Sequence, residues 1–421
     1  MKTEINTENE YAIKITGSAE IKVTKGTINL FGIELNEGST LKIENMISGQ
    51  ISPNSIIEIV SDETTIIETT KTPVCKNYQK FMDLLIEQIN KDHLTKYLFV
   101  GHVDAGKSTM LLSAANRLIS KGHKVGILDL DVGQSISKRP AAINLSIVDG
   151  LAIDQLKLKH LSSRFVGVVS PYNFEYRIIA ATKMLMKQVE DVDVILIDTP
   201  GWIQDARGRD FMYSIYEVIE ADFIFSFGDD TILRPFIKLL NARQISHLYV
   251  GKSIFAESRD WQIRKNNREN AFRDLFENAK KFKITLSNLI TEFSQIGSGI
   301  PTDLKIADET ILWAEAINEY LIIITKGLEF KEIEQLKYEL FDNKTKVIQS
   351  EQLKGLVVGL MDKKGYLLGY GRINDLERNG SELNLIIESN VPPEQIKGIA
   401  FSIIRLDENY RELDRLKFRE L

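Results

Sequence analysis

Three textures of hydrophobic and polar positions follow one another along the chain. Residues 1–75 alternate in short runs, YAIKITG, AEIKVTKG, TINLFGIEL, STLKIEN, SIIEIVSDE and TTIIETT, separated by Gly, Asn, Ser and Pro. A period of two, rich in Ile, Val and Thr, predicts half-buried strands, and turn residues between so many of them predict a small β-sandwich or barrel. No cluster of chemistry-bearing residues stands out there, so a structural or docking module is expected.

Residues 76–283 change period. The amphipathic stretch FMDLLIEQINKDHL leads into the apolar strand KYLFVG, then into the helix STMLLSAANRLISKG, with Gly122 placed to close it. The strands KVGILDLD, RFVGVVS, VDVILIDT, DFIFSFG and SHLYVG then alternate with the helices EYRIIAATKMLMKQVE, FMYSIYEVIE and ILRPFIKLLNARQ. Near-continuous apolar strands alternating with helices predict a parallel sheet covered on both faces, with ligands beyond the carboxyl ends of its strands. From residue 284 the alternation is β-like again (KITLSNLI, YLIIITKG, KGLVVGLMD, GYLLGYGRI, LNLIIES, IAFSIIRL), with no internal repeat. The expected fold is α/β: a central P-loop domain with a parallel sheet (76–283), flanked by small β-rich domains at 1–75 and 284–421.

The P-loop assignment rests on Gly101-His-Val-Asp104-Ala105-Gly106-Lys107-Ser108-Thr109, a full G-x-x-x-x-G-K-[ST] between a buried strand and a helix. Glycines let successive backbone N–H groups curl toward phosphate oxygens, and the helix N-terminus adds positive potential. Lys107 is placed for the β- and γ-phosphates and Ser108 for Mg²⁺. A nucleoside triphosphate with Mg²⁺ is therefore the expected ligand. His102, inside the loop, is read as filler.

Composition narrows the classes. The 53 Lys and Arg against 59 Asp and Glu leave a net charge of −6, which argues against a protein coated in nucleic acid. Cys75 stands alone, so an intrachain disulfide is excluded and a reducing, cytoplasmic setting is expected. MKTEINTENEYAIKI has no basic stretch followed by an apolar run, and no uncharged apolar stretch approaches about 18 residues, so neither a secretory leader nor a membrane helix is expected. Five histidines without metal-binding spacing and one Cys give no zinc site, and G-x-S-x-G is missing.

Several strand ends carry candidate chemistry. KVGILDLDVGQ puts Asp129 and Asp131 two residues apart, on one face of a strand, followed by Gln134. One carboxylate can serve a Mg²⁺ hydration shell while the other accepts a proton from an attacking hydroxyl. Asp198-Thr199-Pro-Gly-Trp202 ends another strand and offers an aromatic platform for a base, with Arg207 and Arg209 close by in sequence. Further on, Arg264 and Arg268 share one helix face, and residues 259–283 carry eight basic against four acidic side chains. Paired arginines on a helical insert suit a lid over a transferring phosphoryl group. A GTPase reading, drawn from GHVDAGKST and Asp198-Thr-Pro-Gly201, fails on guanine recognition: the only Asn-Lys pair of the right kind, Asn343-Lys344-Thr345-Lys346, ends in Lys and lies outside the α/β region.

GHVDAGKST, DLDVGQ, FVGVVSP, DTPGW and the R-x-x-x-R helix, in that order, resemble the Clp/Grc family of polynucleotide 5′-hydroxyl kinases, which holds the kinase of the RNA cleavage and tRNA-splicing machinery and its archaeal relatives. The motifs cover about 98–270. The resemblance implies transfer of the ATP γ-phosphate to the 5′-OH of single-stranded RNA, often also DNA, in the company of RNA-processing proteins. It assigns Gly101, Asp104, Ala105, Gly106, Lys107, Ser108 and Thr109 to the nucleotide and Ser108 with Asp129 to Mg²⁺. Asp131 becomes the general base, and Lys107, Arg264 and Arg268 the charges around the phosphates. Gln134, Thr199 and Trp202 fall to the substrate, the last two as a clasp on the terminal nucleotide. A non-catalytic NTP-binding scaffold of RNA processing is the alternative, and loss of Lys107, Ser108 or Asp131 would have favoured it; all three are present.

Overall fold

The computed structural model describes residues 1–90, 92–153, 156–258, 260–304, 310–328, 331–332 and 345–416. The Asn343-Lys344 pair and Arg259 considered above lie outside them.

The alternating N-terminal segments pair into two antiparallel sheets, one of four strands and one of five. Their inward positions, among them Ile13, Ile15, Ile21, Val23, Ile28, Ile57 and Ile59, are fully buried in one cluster. That cluster also takes in Leu112 and Ala152 from the next part of the chain, so the sandwich is docked and not free.

The central sheet has seven strands: β1 (Thr95–Gly101), β2 (Val125–Asp129), β3 (Ala142–Val148), β4 (Leu158–Phe165), β5 (Val194–Asp198), β6 (Phe223–Phe227) and β7 (His247–Tyr249), in the order β4-β3-β2-β5-β1-β6-β7. β2, β5, β1, β6 and β7 are parallel, in keeping with their near-continuous apolar runs. The other two depart from the expected parallel sheet. RFVGVVS ends its strand at Phe165, and β4 forms an antiparallel hairpin with β3, a strand the helix–strand alternation did not reveal. Residues 130–141, which join β2 to β3, form no helix to carry a crossover, and the chain folds back antiparallel. Helices α1 (Tyr78–Glu87), α2 (Lys107–Ser120), α3 (Glu175–Met186), α4 (Ala206–Ile219) and α5 (Asp230–Ala242) cover the sheet, burying two apolar clusters, one on each face.

A sixth helix, α6 (Trp261–Leu275), is mostly polar; Trp261 and Ile263 at its start are exposed, and Phe272 is fully buried. Phe272 and the following Phe276 pack with Tyr370, Leu406 and Ala400 of the C-terminal part. There a six-stranded sheet, beginning with Lys280–Thr285, and a four-stranded sheet enclose one further core. The helix is thus anchored at its C-terminal end, while its N-terminal half lies along the edge of a cleft.

Candidate active site

The carboxyl ends of β1, β2 and β5 converge on one cleft of about 650 Å³, bordered also by the N-terminal sandwich and by α6. Each chemical group arrives there because a strand ends. After β1 the chain turns through Asp104 (φ 59°) and Gly106 (φ 86°), both left-handed, and Gly106 is the residue preceding α2. Lys107 is buried, and its ammonium donates to the carbonyls of Gly101 (3.1 Å) and His102 (3.2 Å). The His102 ring bridges the Val103 carbonyl (2.7 Å) and the Asp229 amide (3.0 Å), so it fixes the loop to the end of β6 and is more than filler.

Ser108 at the start of α2 donates to Asp198 Oδ2 at the end of β5 (3.3 Å). Asp198 is almost fully buried, and its other oxygen, Oδ1, has no hydrogen-bond partner. Burial pushes its carboxyl up to about 7 against the pull of Lys107. A buried, orphaned carboxylate oxygen beside a P-loop serine fits a divalent cation shared with a nucleotide. Sequence reasoning placed Asp198 at the end of the strand VDVILIDT, in a GTPase-like motif and in DTPGW, but gave it no metal role.

Asp129, expected at the metal, is committed elsewhere. It is fully buried, Oδ2 accepts from the Ser135 hydroxyl (2.6 Å) and the Ser137 amide (3.1 Å), and Oδ1 from the Asp131 amide (3.2 Å). Burial pushes its carboxyl up to about 6. Asp129 organises the 131–137 loop, the bland role of turn support. Asp131 lines the cleft, and its Oδ1 accepts the amides of Gly133 and Gln134, both 2.9 Å. Gln134 donates from Nε2 to the carbonyls of Gly133 (2.7 Å) and Arg264 (3.0 Å), tying this loop to α6.

The expected clasp splits. Thr199 is fully buried and its hydroxyl donates to the Phe99 carbonyl (2.7 Å), so it joins β5 to β1 and presents nothing to the cleft. Trp202 is in the cleft wall, half-buried, with its indole N–H donating to Asp205 (2.8 Å), itself the cap of α4 through the Gly208 amide (2.8 Å). Gly201 allows this: a Cβ there would meet the backbone N of Val103 at 2.7 Å, so only glycine lets the Trp-bearing turn lie against the P-loop. Facing the cleft together with Trp202 is Val169-Ser170-Pro171, the end of FVGVVSP.

The two lid arginines also differ. Arg264 reaches Asp104 Oδ2 of the P-loop (3.1 Å) and borders the cleft. Arg268 also borders the cleft, but its guanidinium makes a bidentate pair with Glu412 (2.6 and 3.0 Å), both side chains almost wholly buried. Lys14 of the sandwich closes the cleft from the opposite side through its pair with Glu257 (2.5 Å). Arg207 and Arg209 stand on α4, the first paired with Glu175 (2.5 Å), the second donating to the Gln204 carbonyl (3.1 Å).

A phosphate-cradling loop, a carboxylate beside the P-loop serine and a second carboxylate facing the same cleft define a P-loop phosphotransferase. Residues 101–278 match the family model of the mRNA cleavage and polyadenylation factor CLP1 P-loop. It is 28% identical over 331 residues to a polyribonucleotide 5′-hydroxyl-kinase of Methanocaldococcus jannaschii, covering 76% of this chain and 90% of that one. The corresponding Pyrococcus furiosus kinase is 28% identical over 326 residues, with 76% and 90% covered. Over a shorter stretch, 38% of this chain, a polynucleotide 5′-hydroxyl-kinase nol-9 of Caenorhabditis briggsae is 28% identical. Among solved structures, Clp1p in complex with Pcf11p (454–563) has the same fold, with a TM-score of 0.58 at 12% identity over 96% of this chain and 98% of that one. No helix among the described residues is long and apolar enough to cross a membrane.

Proposed function

We propose that this protein phosphorylates RNA 5′-hydroxyl ends with ATP, DNA ends being a possible second acceptor, and that Asp131 is the base. The carrying observation is that Asp131, Lys107 and Ser108 line one cleft, Ser108 being hydrogen-bonded to Asp198. The archaeal relatives named polyribonucleotide 5′-hydroxyl-kinases support RNA as the acceptor.

The P-loop amides and Lys107 hold the β- and γ-phosphates, and Lys107 exchanges its two carbonyl partners for phosphate oxygens. Ser108 and Asp198 are the residues that would hold Mg²⁺, which would neutralise phosphate charge there. Asp131 accepts the proton of the 5′-hydroxyl as its oxygen attacks the γ-phosphorus in line and the bond to the β-γ bridging oxygen breaks, leaving ADP. Arg264, released from Asp104, faces the charge on the transferring group. Trp202 receives the terminal base, worth roughly 1–3 kcal/mol and tolerant of sequence. RNA-processing proteins are the expected company of such an enzyme.

The test is transfer of label from γ-labelled ATP to a short 5′-OH RNA by wild type, Lys107→Ala and Asp131→Asn. Transfer by wild type alone, with ATP still stabilising Asp131→Asn against heat, is expected. ATP binding by wild type without transfer to RNA or DNA would instead identify a nucleotide-dependent scaffold.

A further inference from the structure

Beside the cleft, outside every role assigned above, stands a second aromatic side chain held as firmly as the first. Tyr172 directly follows Ser170 and Pro171, which line the cleft, and it is 55% exposed. The turn that carries it is fixed: the Phe174 amide donates to the Pro171 carbonyl (2.8 Å), and Asn173 is left-handed at φ 68°. The Tyr172 ring meets Trp202 edge-on, centroids 5.5 Å apart at 65°. Arg207 covers Tyr172 at 4.6 Å from its centroid and reaches Trp202 at 5.9 Å. That guanidinium is itself anchored, on Glu175 (3.0 Å from Nη2) and Asn173 (2.9 Å from Nη1).

We infer that Tyr172 is the stacking surface for the second base of the RNA, the nucleotide 3′ to the one phosphorylated. This rests on the kinase reading and on Trp202 taking the first base. With a cation over the ring and Trp202 inclined to it at 65°, Tyr172 is still 55% exposed and so accessible to a base. A rigid aromatic pays little entropy when a base stacks on it, and every base has a π-face, so the subsite adds affinity without sequence preference. The 65° angle between the rings means that two bases, one on each, are splayed and not stacked on each other, the manner in which single-stranded RNA ends are held. The opposing, purely structural reading is that Tyr172 only buttresses Trp202 and Arg207. The two differ in which acceptor atoms they touch.

The experiment compares two 5′-OH acceptors, a dinucleotide and the same dinucleotide with its second residue abasic, in wild type and in Tyr172→Ala, Tyr172→Phe and Tyr172→Trp. In wild type the intact dinucleotide has the higher kcat/KM, by about ten-fold, mainly through KM. Tyr172→Ala brings that ratio close to one, while Tyr172→Phe and Tyr172→Trp keep it; ATP-induced thermal stabilisation checks that each variant is folded. A wild-type ratio near one, or a Tyr172→Ala loss equal for both acceptors, overturns the second-base subsite and leaves the kinase reading standing. Absence of transfer to either acceptor by wild type overturns both.

Discussion

At the scale of single residues, the two buried strand-end aspartates follow different logic. Asp198 keeps one oxygen unpaired, whereas Asp129 is satisfied by Ser135, Ser137 and Asp131, and burial still pushes its carboxyl up to about 6. A folded-state value above the unfolded one, near 3.8, means that the folded protein holds this proton more tightly. The stabilisation is present in full below about pH 4 and is lost as pH rises through about 6, a change of roughly 3 kcal/mol at two pH units. Nucleotide-free Asp129→Asn, which cannot ionise, should therefore lack this fall. Urea unfolding at pH 4.5, 5.5 and 7.5 measures it, and parallel stability curves for the two proteins would dismiss the account. Little of the role of Asp129 was legible in DLDVGQ, because the sequence places Asp129 and Asp131 on one face but is silent on which one the loop consumes. Thr199 illustrates the same limit: its neighbours in DTPGW point to the cleft, yet the hydroxyl is taken by a carbonyl one strand away.

At the scale of elements, α6 divides into a working half and an anchored half. Its spacing put Arg264 and Arg268 on one face, and the helix and its register follow, but the partner of Arg268 lies in a segment 144 residues away that no local pattern announces. Two consequences separate the arginines. Arg268→Ala leaves the Glu412 carboxylate buried without its bidentate partner, a cost of roughly 3–5 kcal/mol, whereas replacing both by leucine restores most of the stability. Arg264→Ala should cost under about 1 kcal/mol, since its pair with Asp104 is partly solvated, but should lower kcat by roughly 10³-fold or more if it faces the transferring phosphoryl group. Thermal unfolding and single-turnover transfer on the same variants decide it. Equal kinetic losses at equal stability for both would show that Arg268 leaves Glu412 during the reaction.

Across the whole molecule, the three textures of the sequence do mark three sets of sheets, because period-two alternation and long apolar runs are dictated by burial within each. The sets are joined by shared apolar clusters and by buried polar contacts, the latter invisible to periodicity. Asn116, on the helix that opens with the P-loop, is the clearest. It is fully buried, its Nδ2 donates to the carbonyls of Phe31 (2.7 Å) and Ala152 (2.6 Å), and its Oδ1 accepts the Ala152 amide (2.9 Å). Leu112, one turn earlier on α2, is buried in the core of the sandwich itself. The N-terminal sandwich is thus seated directly on the helix whose first turn cradles phosphate, and with Lys14 it forms one wall of the cleft. Asn116→Ala strands three backbone groups in an apolar interface, each worth roughly 1–3 kcal/mol if left unpaired, so a total loss of at least about 2 kcal/mol is expected even after water enters. Because the contact joins the sandwich to the nucleotide helix, the loss should also appear in ATP affinity, which a surface-packing defect would not touch. Titration of ATP by calorimetry, alongside limited proteolysis, reads both: the variant should bind ATP several-fold more weakly and be cut first between residues 71 and 77. Unchanged ATP affinity with the same loss of stability would mean that the sandwich braces the fold without shaping the cleft.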